Sequence, residues 1–514
     1  MNFASILEDG ARRWPDEVAV ASGERALTYS QLNDEANRLA NVLEREFGVA
    51  AGDRVGTLLH NSPEVLVACF ACGKLGAAYV PCNPDYTVSE LKGIFGHCRP
   101  AVLLCSEETA GLAARVRDVL ERPPLVAEMS GAGEGAARLR DALRRAPDEN
   151  LGRDFDADHP AGLFYTSGTT SQAKGAIWTH GCVFGGREVV ERLEDLLGPD
   201  DIVLPYIPLF HAWALIIYVR VMIAGASLFT LRLGTPFGKL LEVVAARRVT
   251  YLITNPTFYH LIVRHRPAAA RAALATLRAA QSAASPLDPE VLVAFEREFG
   301  IPLIESYGMT ETGYICTNRL SEPRVPGSVG RAAPLTEVRI IDEAGWEVPA
   351  CENGQIVMRG PNLMTGFYEN PANPPFTQDG WFLTGDIGRM DAVGNVYISG
   401  RVKEMIDVHG EKVYSVEVEQ VLRNHPKVAD AAVFGLKSAR KEFPAACIIA
   451  RDGAGQADAA EILDFCRDRL APFKVPRQLF FVSEFPCNSL GKVVKRRLQE
   501  RFQRAGAVAS EAAP

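Results

Sequence analysis

A stretch that combines hydroxyl side chains, glycine and lysine follows the apolar residues 163–165. Its chemically relevant residues are Thr166, Ser167, Gly168, Thr169, Thr170 and Lys174. Glycine lets backbone N–H groups converge on an anion, hydroxyl groups donate to phosphate oxygens, and a lysine adds a mobile positive charge. The stretch is not a Walker A loop, because the sequence contains no G-x-x-x-x-G-K-[ST] pattern. Taken alone, it predicts either a phosphate-binding loop or an exposed flexible connection.

Four later stretches each carry one residue whose chemistry suits a nucleotide. Glu311, in ESYGMTETG, stands beside hydroxyl groups and suits a divalent metal that bridges phosphates. Asp386, in GWFLTGDIG, can accept hydrogen bonds from ribose hydroxyls. Arg401, in GRVKEMI, suits ribose or phosphate oxygens, and Lys492, in NSLGKVVKR, follows a glycine on a predicted turn. Each of these residues alone also fits a role without chemistry, as a cap, a turn residue or a solvated surface lysine.

The composition narrows the class of protein that these residues serve. The chain has 514 residues, 47% of them hydrophobic, and a net charge of −8, which predicts several globular domains and no nucleic-acid-binding surface. The acidic N-terminus lacks a secretion signal, so we predict a cytosolic protein. The longest apolar tract, residues 212–231, is interrupted by Arg220 and Gly225 and predicts a buried helix rather than a membrane span. Cys69 and Cys72 form one C-x-x-C, which predicts core packing rather than zinc binding.

The order of apolar segments predicts an α/β protein. Strand-like and helix-like segments alternate over most of the chain, as in RVGTLL followed by SPEVLVACFACGKLG. The Gly/Ala/Arg-rich stretch 130–160 predicts a surface connection. Past residue 400 the pattern is that of a small α+β domain. There Ser415 is predicted to cap one helix, and Asp458 with Glu461 to cap another.

Together and in this order, the motifs resemble those of a single family. The chain resembles the adenylate-forming enzymes, which comprise acyl-CoA synthetases, peptide-synthetase adenylation domains and luciferases, over almost its full length. The resemblance implies an α/β N-terminal domain, 1–402, with parallel-rich sheets, helices and a small β-barrel-like portion. It also implies a small mobile α+β C-terminal domain, 403–514, with a hinge near Lys403. The phosphate loop departs from the family pattern, because Ser171 and Ala173 replace a glycine and a proline.

The same resemblance implies a two-step reaction. A carboxylate attacks the α-phosphate of ATP to give an acyl-adenylate and pyrophosphate, and a thiol then displaces AMP. Two anions meet in the first step, so positive charge is needed at the α-phosphate. By its motif, Lys492 supplies that charge, while Mg²⁺ on Glu311 neutralises the phosphates. Tyr307 is expected to stack on adenine, and Asp386 and Arg401 to hold the ribose.

The resemblance assigns the remaining roles residue by residue. The residues implied for catalysis are Lys492, His211, Thr166 and Glu311. Those implied for ATP binding are Thr166, Ser167, Gly168, Thr169, Thr170, Lys174, Ser282, Ala283, Ala284, Tyr307, Gly308, Met309, Thr310, Asp386, Arg401 and Lys492. Those implied for CoA binding are His409, Gly410 and Glu411, and those implied for the acyl pocket are His211, Trp213, Ala214 and Gly308. We expect Mg²⁺ to be the cofactor and ATP and CoA to be the co-substrates.

The motif PLFHAWAL (208–215) indicates which class of carboxylic acid the protein is expected to activate. Amino-acid-activating domains usually carry Asp where His211 stands, to pair with the substrate's ammonium, so an α-amino acid is not expected. An apolar monocarboxylic acid, whether fatty, aryl or polycyclic, is the first expectation. A dicarboxylate such as malonate, paired with Arg220, is the second, although Arg220 more readily fits a helix residue that faces a polar partner.

The sequence leaves open which thiol accepts the acyl group and whether the protein forms an oligomer. CoA is the expected acceptor because no carrier domain follows residue 514. An acyl-AMP ligase that loads a separate carrier protein is the enzymatic alternative, and a homo-oligomer is left open. A catalytically retired nucleotide sensor or scaffold is the alternative of another class. The retention of Glu311, Asp386, Arg401, Lys403 and Lys492 together argues against it.

Overall fold

The structure, a computed structural model, describes most of the chain and divides it into two compact units. The described residues are 1–166, 174–193, 197–265, 270–369, 375–408, 411–438, 441–451, 453–487 and 492–511. Unit 1 comprises Met1–Pro326, Gly330–Glu337 and Arg359–Gly380. Unit 2 comprises Gly327–Val329, Val338–Met358 and Trp381–Pro514.

Helices and strands alternate along the first part of the chain, and strands dominate after residue 300. The helices are α1 (Ser5–Arg13), α2 (Tyr29–Arg45), α3 (Pro63–Leu75), α4 (Val88–Cys98), α5 (Glu107–Asp118), α6 (Glu134–Arg145), α7 (His180–Glu191), α8 (Ala212–Ala224), α9 (Phe237–Ala246), α10 (Pro256–His265), α11 (Ala270–Ala273), α12 (Pro289–Phe299), α13 (Ser415–Arg423), α14 (Ala459–Arg467) and α15 (Lys495–Glu511). The strands are β1 (Val18–Ser22), β2 (Arg25–Thr28), β3 (Arg54–Leu58), β4 (Ala78–Pro81), β5 (Val102–Ser106), β6 (Leu125–Ser130), β7 (Pro160–Thr166), β8 (Lys174–Thr179), β9 (Ile202–Pro205), β10 (Ser227–Phe229), β11 (Tyr251–Thr254), β12 (Ala279–Ser282), β13 (Leu303–Met309), β14 (Gly313–Thr317), β15 (Arg331–Ala332), β16 (Glu337–Ile341), β17 (Gly354–Arg359), β18 (Phe382–Met390), β19 (Val396–Arg401), β20 (Ile406–Val408), β21 (Glu411–Val413), β22 (Val428–Ser438), β23 (Lys441–Ala450) and β24 (Gln478–Phe481).

Two sheets with long parallel runs form unit 1. The first has nine strands in the order β15-β14-β13-β12-β11-β9-β10-β1-β2, and its run from β13 to β1 is parallel. The second has six strands in the order β6-β5-β3-β4-β7-β8, of which only the β7–β8 pair is antiparallel. Helices cover these sheets because parallel strands are buried on both faces. The predicted α/β architecture is confirmed.

The helices of unit 1 follow the apolar pattern of the sequence. In α3 every residue is buried, as its almost wholly apolar sequence requires. Cys69 and Cys72 lie in this helix, so the prediction that they are core residues is confirmed. Burial raises the pKa of both thiols, which keeps them protonated and inert.

A three-stranded sheet, β22-β23-β24, is the centre of the C-terminal part of unit 2. Alternate residues of β22 face opposite cores: Val433 packs in the cluster that contains Leu422 of α13, whereas Phe434 packs in the cluster that contains Leu498 of α15. Unit 2 also holds the hairpin β20–β21 and a four-stranded sheet in the order β16-β17-β18-β19. This four-stranded sheet lies within residues 1–402, the domain for which a small β-barrel-like portion was predicted.

Two local predictions are wrong, and a third is right only in part. The stretch 130–160 contains helix α6 and is not wholly a surface connection. Ser415 is the first residue of α13 rather than its cap, and its hydroxyl accepts from Lys495. Asp458 is the N-cap residue of α14, as predicted, but its side chain makes no capping hydrogen bond with that helix: the carboxylate accepts from Lys427 Nζ and from the backbone N–H of Gly455.

The apolar tract 212–231 is divided between two elements. Gly225, with φ +70°, ends α8, and the remainder enters β10. A side chain at Gly225 would also collide with the ring of Trp14. Among the residues that the structure describes, no helix is long and apolar enough to cross a membrane.

Candidate active site

The carboxyl ends of parallel strands carry the predicted residues of unit 1. The loop with His211 follows β9, Ala283 and Ala284 follow β12, and the turn with Glu311 follows β13. Because β9, β11, β12 and β13 are adjacent and parallel, these segments emerge at the same edge of the nine-stranded sheet. This edge is where open α/β sheets bind their ligands.

The predicted phosphate loop is bracketed by a strand pair. Thr166 ends β7 and pairs in register with Lys174, which begins β8. The half-buried Lys174 has its Nζ 5.6 Å from the centre of the Phe367 ring, a cation–π contact. The predicted residues Ser167, Gly168, Thr169 and Thr170, and the replaced positions Ser171 and Ala173, lie outside the described residues, so their roles stay predictions.

The turn after β13 is held in place from three sides. Trp178 of β8 donates its indole N–H to the carbonyl of Thr310 at 2.8 Å, which ties the turn to the strand that follows the phosphate loop. The backbone N–H of Met364 donates to the carbonyl of Glu311 at 2.9 Å. Asn362 donates to the carbonyls of Thr312 and Tyr314. Glu311 is therefore presented, partly exposed, on a fixed backbone.

A bulge in β13 explains the glycine in the predicted adenine motif. The register with β14 shifts between Tyr307 and Gly308. A Cβ atom at Gly308 would lie 2.0 Å from the carbonyl oxygen of Gly313, so no larger residue fits there. Tyr307 is buried, and the backbone N–H of Met309 donates to the hydroxyl of Thr312.

The segment after β12 combines an unpaired hydroxyl with an unusual backbone. Ser282 is fully buried, and its Oγ has no hydrogen-bond partner among the described residues. Ala284 has φ +75°, a left-handed conformation that costs alanine about 1 kcal/mol. Strain of this kind is concentrated where function requires a particular loop shape.

Glu305, which sequence reasoning did not select, supports this segment from β13. Its carboxyl accepts from the backbone N–H of Leu287 at 3.0 Å, and β13 places it in register with Ser282. Burial raises the pKa of Glu305 to about 8, so at neutral pH the group is mainly protonated. The only feature of the sequence that could have indicated a role for Glu305 is its place as the first residue of ESYGMTETG.

Glu305 predicts a pH dependence of stability. Its folded pKa, about 8, lies above its unfolded value, so the folded state retains a proton that the unfolded state loses. The Glu305 contribution is therefore fully present below about pH 4.3 and is lost as the pH rises to about 8. Denaturant unfolding at pH 5 and pH 8 should show a larger loss of stability in the wild type than in Glu305→Gln. Equal losses in the two proteins would contradict the assignment.

The motif predicted to line the acyl pocket is held by a buried asparagine. Asn61 accepts from the backbone N–H of Leu209 at 2.9 Å and donates to the carbonyl of Ile207 at 2.8 Å. His211 follows on this loop; its Nε2 is enclosed and has no partner among the described residues. Burial lowers the pKa of His211 to about 4, so the imidazole is neutral at physiological pH. Trp213 is partly buried and Ala214 is buried in the first turn of α8.

A buried polar network links α8 to the strands of the site. Arg220 of α8 donates to Oε1 of Gln281 at 3.2 Å and lies 4.7 Å from the centre of the Tyr251 ring. The Gln281 amide nitrogen donates to Ser306 at 2.8 Å and to Tyr314 at 3.0 Å. The prediction that Arg220 faces a polar partner agrees with these contacts. Gln281 was missed, because its importance arises only from segments that are distant in sequence.

Substitution of Gln281 tests this network. Gln281→Leu should lower the free energy of unfolding by about 2–3 kcal/mol, because it removes partners from buried polar groups. Gln281→Glu is the matched control, since its carboxylate can still accept from Arg220 while the Ser306 and Tyr314 hydroxyls rotate to donate. Chemical denaturation of both variants measures the difference. A Leu variant as stable as the Glu variant would contradict the role of a polar side chain at position 281.

Three predicted residues of unit 2 lie within electrostatic reach of one another. Asp386 of β18 pairs in register with Arg401 of β19, and Arg401 Nε donates to its carboxylate at 2.7 Å. Asp386 is buried, whereas Arg401 is partly exposed. Lys492 is partly buried, and its pKa is lowered chiefly by that burial and further by the charge of Arg401, while Asp386 opposes the shift. The structure therefore brings the predicted ribose pair and the predicted catalytic lysine together.

The predicted hinge and CoA residues also lie in unit 2. Lys403 is exposed in a 3₁₀ turn, Val402–Glu404, and makes no ion pair or side-chain hydrogen bond with the residues that the structure describes. The two compact units do not divide the chain at Lys403, so the 402/403 boundary stays a prediction. Glu411 is exposed at the start of β21, and His409 and Gly410 lie outside the described residues.

Glu311 is a suitable single ligand for Mg²⁺. The described residues contain no group of three or more His, Cys, Asp or Glu side chains that could hold a metal. Mg²⁺ is commonly bound through one or two carboxylates together with substrate phosphates. A partly exposed glutamate on a fixed turn fits that mode, so the residues present are compatible with a metal that arrives with the nucleotide.

Comparisons with known proteins agree with this geometry. Residues 7–368 match the family model described as AMP-binding enzyme, and residues 417–492 match that of the AMP-binding enzyme C-terminal domain. The chain is 35% identical to feruloyl-CoA synthase of Amycolatopsis sp over 96% of its length and 97% of that protein. It is 32% identical to indoleacetate–CoA ligase of Aromatoleum aromaticum over 98% of its length and 99% of that protein.

A solved structure extends the agreement to the fold. The anthranilate CoA ligase AuaEII, in complex with anthranoyl-AMP, superposes with a TM-score of 0.90 at 27% identity, covering 99% of this chain and 98% of that one. The chain therefore belongs to the AMP-binding enzymes, the adenylate-forming superfamily. It is an ATP-dependent acid–thiol ligase of the acyl-CoA synthetase type.

Proposed function

We propose that this ligase converts an aromatic monocarboxylic acid into its acyl-adenylate and transfers the acyl group to CoA. The observation that carries the choice of acid is the enclosure of His211, whose Nε2 has no partner among the described residues and whose pKa is lowered to about 4 by burial. A neutral imidazole offers no charge to a substrate ammonium or to a second carboxylate. The similarity to a feruloyl-CoA synthase and an indoleacetate–CoA ligase supports an aromatic acid over a fatty acid.

The environment of Arg220 supports a monocarboxylate. A dicarboxylate would need a cation to receive its second carboxylate, and Arg220 was the predicted candidate. Its guanidinium instead donates to Gln281 and stacks on Tyr251 inside the protein. Breaking such a buried charged hydrogen bond costs about 1.5–3 kcal/mol. A dicarboxylate therefore ranks below an aromatic monocarboxylate.

The first half-reaction depends on charge in unit 2. The Lys492 ammonium would bridge the attacking carboxylate and the α-phosphate, where two anions must approach. Asp386 would accept from the ribose hydroxyls, while the Arg401 guanidinium, fixed by its 2.7 Å bond to Asp386, would donate to ribose or phosphate oxygens. Tyr307, on the bulge of β13, would stack on the adenine. Glu311 would hold Mg²⁺, which supplies charge neutralisation for the phosphates.

The second half-reaction needs a thiol at the acyl-adenylate. The segment with His409, Gly410 and Glu411 is proposed to guide the pantetheine arm of CoA, and Lys403 to act as the hinge. The free side chain of Lys403 supports a hinge, since no ion pair with the described residues would have to break during a backbone rotation. A cytosolic location is part of the proposal. All eleven cysteines are free thiols, as expected in a reducing compartment.

Product analysis over a panel of acids tests this function. The panel contains ferulic acid, indoleacetic acid, a long-chain fatty acid, malonate and an α-amino acid, each with ATP and Mg²⁺ and with or without CoA. Pyrophosphate release and mass spectrometry should show an aryl-CoA product, with little product from malonate or the amino acid. An acyl-adenylate that CoA does not convert would indicate a carrier protein as acceptor. If no acid in the panel causes pyrophosphate release, the proposed activity is contradicted.

A further inference from the structure

Lys495, the first residue of α15, has a largely buried side chain that no motif assignment uses. Only 14% of this side chain is exposed. Its ammonium lies 2.7 Å from the carboxylate of Glu419 and donates to the hydroxyl of Ser415, also at 2.7 Å. A third oxygen, from the carboxylate of Glu404, lies at 3.4 Å. These three acceptors match the three N–H donors of a lysine.

The acceptors of Lys495 are themselves fixed. Glu419 is 5% exposed and also accepts from the backbone N–H of Val433 at 2.8 Å, so α13 and β22 hold its position. Ser415 begins α13. Glu404 ends the 3₁₀ turn that contains Lys403. The ammonium therefore joins α15, α13 and the turn of the proposed hinge.

The chain between Lys492 and Lys495 is short and held by backbone bonds. Val493 forms a bridge with Cys487, and the backbone N–H of Val494 donates to the carbonyl of Pro486 at 2.7 Å. Lys495 follows directly and anchors the start of α15. Lys492 lies three residues before this anchor, on the same short segment.

We propose that Lys495 is a positioning residue for adenylation, which anchors the segment of Lys492 to α13 and to the 402–404 turn. Its charge also acts on Lys492, so it contributes to the electrostatics of the reacting lysine as well as to its place. The proposal rests on the proposed function, because it assigns Lys495 to the same adenylating site. Lys495 itself is not placed in contact with the substrates.

The charges that face Lys492 set the expected pH behaviour. Burial, Arg401 and Lys495 lower the pKa of Lys492, and Asp386 and Glu404 raise it. Removal of the Lys495 charge should therefore raise that pKa. Since Lys492 acts as a cation, the alkaline limit of the adenylation rate should move to higher pH in the variant.

The test compares Lys495→Met with Lys495→Arg and with Arg496→Met. Arg496 is the adjacent helix residue and is exposed, with a surface ion pair to Glu500, so it controls for loss of charge on α15. In single-turnover pyrophosphate release from ATP, Mg²⁺ and the preferred acid, Lys495→Met should be slower by about 10–100-fold, as expected for a misplaced catalytic group. Lys495→Arg should retain most of the rate, and Arg496→Met should be unchanged.

Two further measurements distinguish positioning from general damage. A preformed acyl-adenylate should react with CoA at the wild-type rate in Lys495→Met, and the pH profile of adenylation should shift as described. If Lys495→Met does not fold, Ser415→Ala removes one acceptor with minimal change and should slow adenylation alone by severalfold.

Equal loss of both half-reactions, or a Lys495→Met variant that behaves like Arg496→Met, would overturn the proposal. If the wild-type enzyme releases no pyrophosphate with any acid, the proposed function itself is overturned instead.

Discussion

Lys492→Ala is expected to reduce acyl-adenylate formation by a factor on the order of 10²–10³, while the reaction of a preformed acyl-adenylate with CoA proceeds near the wild-type rate. The expected factor is that of removing one preorganised electrostatic contact from a transition state. The structure supports the assignment through the neighbours of Lys492, since Asp386 and Arg401, the proposed ribose residues, act on its charge. Pyrophosphate release measures the first half-reaction, and acyl-CoA formation from added acyl-adenylate measures the second.

The control for Lys492→Ala is another lysine of unit 2. Lys437 is exposed on β22, so Lys437→Ala removes a positive charge of the same kind without touching the proposed site. Both half-reactions should remain unchanged in that variant. If Lys492→Ala reduces the two half-reactions equally, Lys492 has a structural role or serves both steps, and the assignment to adenylation alone is wrong.

Lys403→Pro is expected to have the opposite effect. Acyl-adenylate formation should persist, while acyl-CoA formation from that adenylate should fall by about 10²-fold or more, because a misplaced reacting group has a cost of this size. Proline fixes φ near −65° and removes the N–H, so the backbone can no longer make the large rotation that a hinge requires. Accumulation of enzyme-bound acyl-adenylate in the presence of CoA, followed by mass spectrometry, measures the effect.

The matched control is Lys403→Ala, which removes the side chain and keeps the backbone free. Lys403 is exposed and makes no ion pair or side-chain hydrogen bond with the described residues, so this variant should be close to the wild type in both half-reactions. A normal thioester rate in Lys403→Pro would remove the hinge assignment. An equally slow Lys403→Ala would show that the side chain, rather than the backbone, is needed.

The sequence by itself was sufficient for the class of protein, and it predicted which residues with distinctive chemistry form the site. Alternating strand and helix patterns predicted the parallel sheets, since apolar runs without a polar face are buried on both sides. The motifs around Glu311, Asp386, Arg401 and Lys492 predicted a nucleotide site, because charged residues in glycine-led turns are locally readable. Their order along the chain then matched a family whose two models cover residues 7–368 and 417–492.

Local patterns failed where a tertiary contact competed with them. Ser415 and Asp458 both have the composition of helix caps, but each accepts from a distant lysine instead. Each of these two acceptors receives a bond of 2.7 Å from a lysine ammonium, and such charge-assisted bonds are about twice as strong as neutral ones. Such partners lie 80 and 31 residues away along the chain and leave no local trace.

Only the tertiary structure identified the residues that we propose to support the candidate site. Gln281, Glu305 and Lys495 have ordinary surroundings in the sequence, and each becomes significant through partners brought in by other strands and helices. The charge states of His211 and Glu305 were decided in the same way, because burial depends on the packing of every neighbouring element. A sequence records which chemical groups are present, whereas their distances and their access to water arise only when the chain has folded.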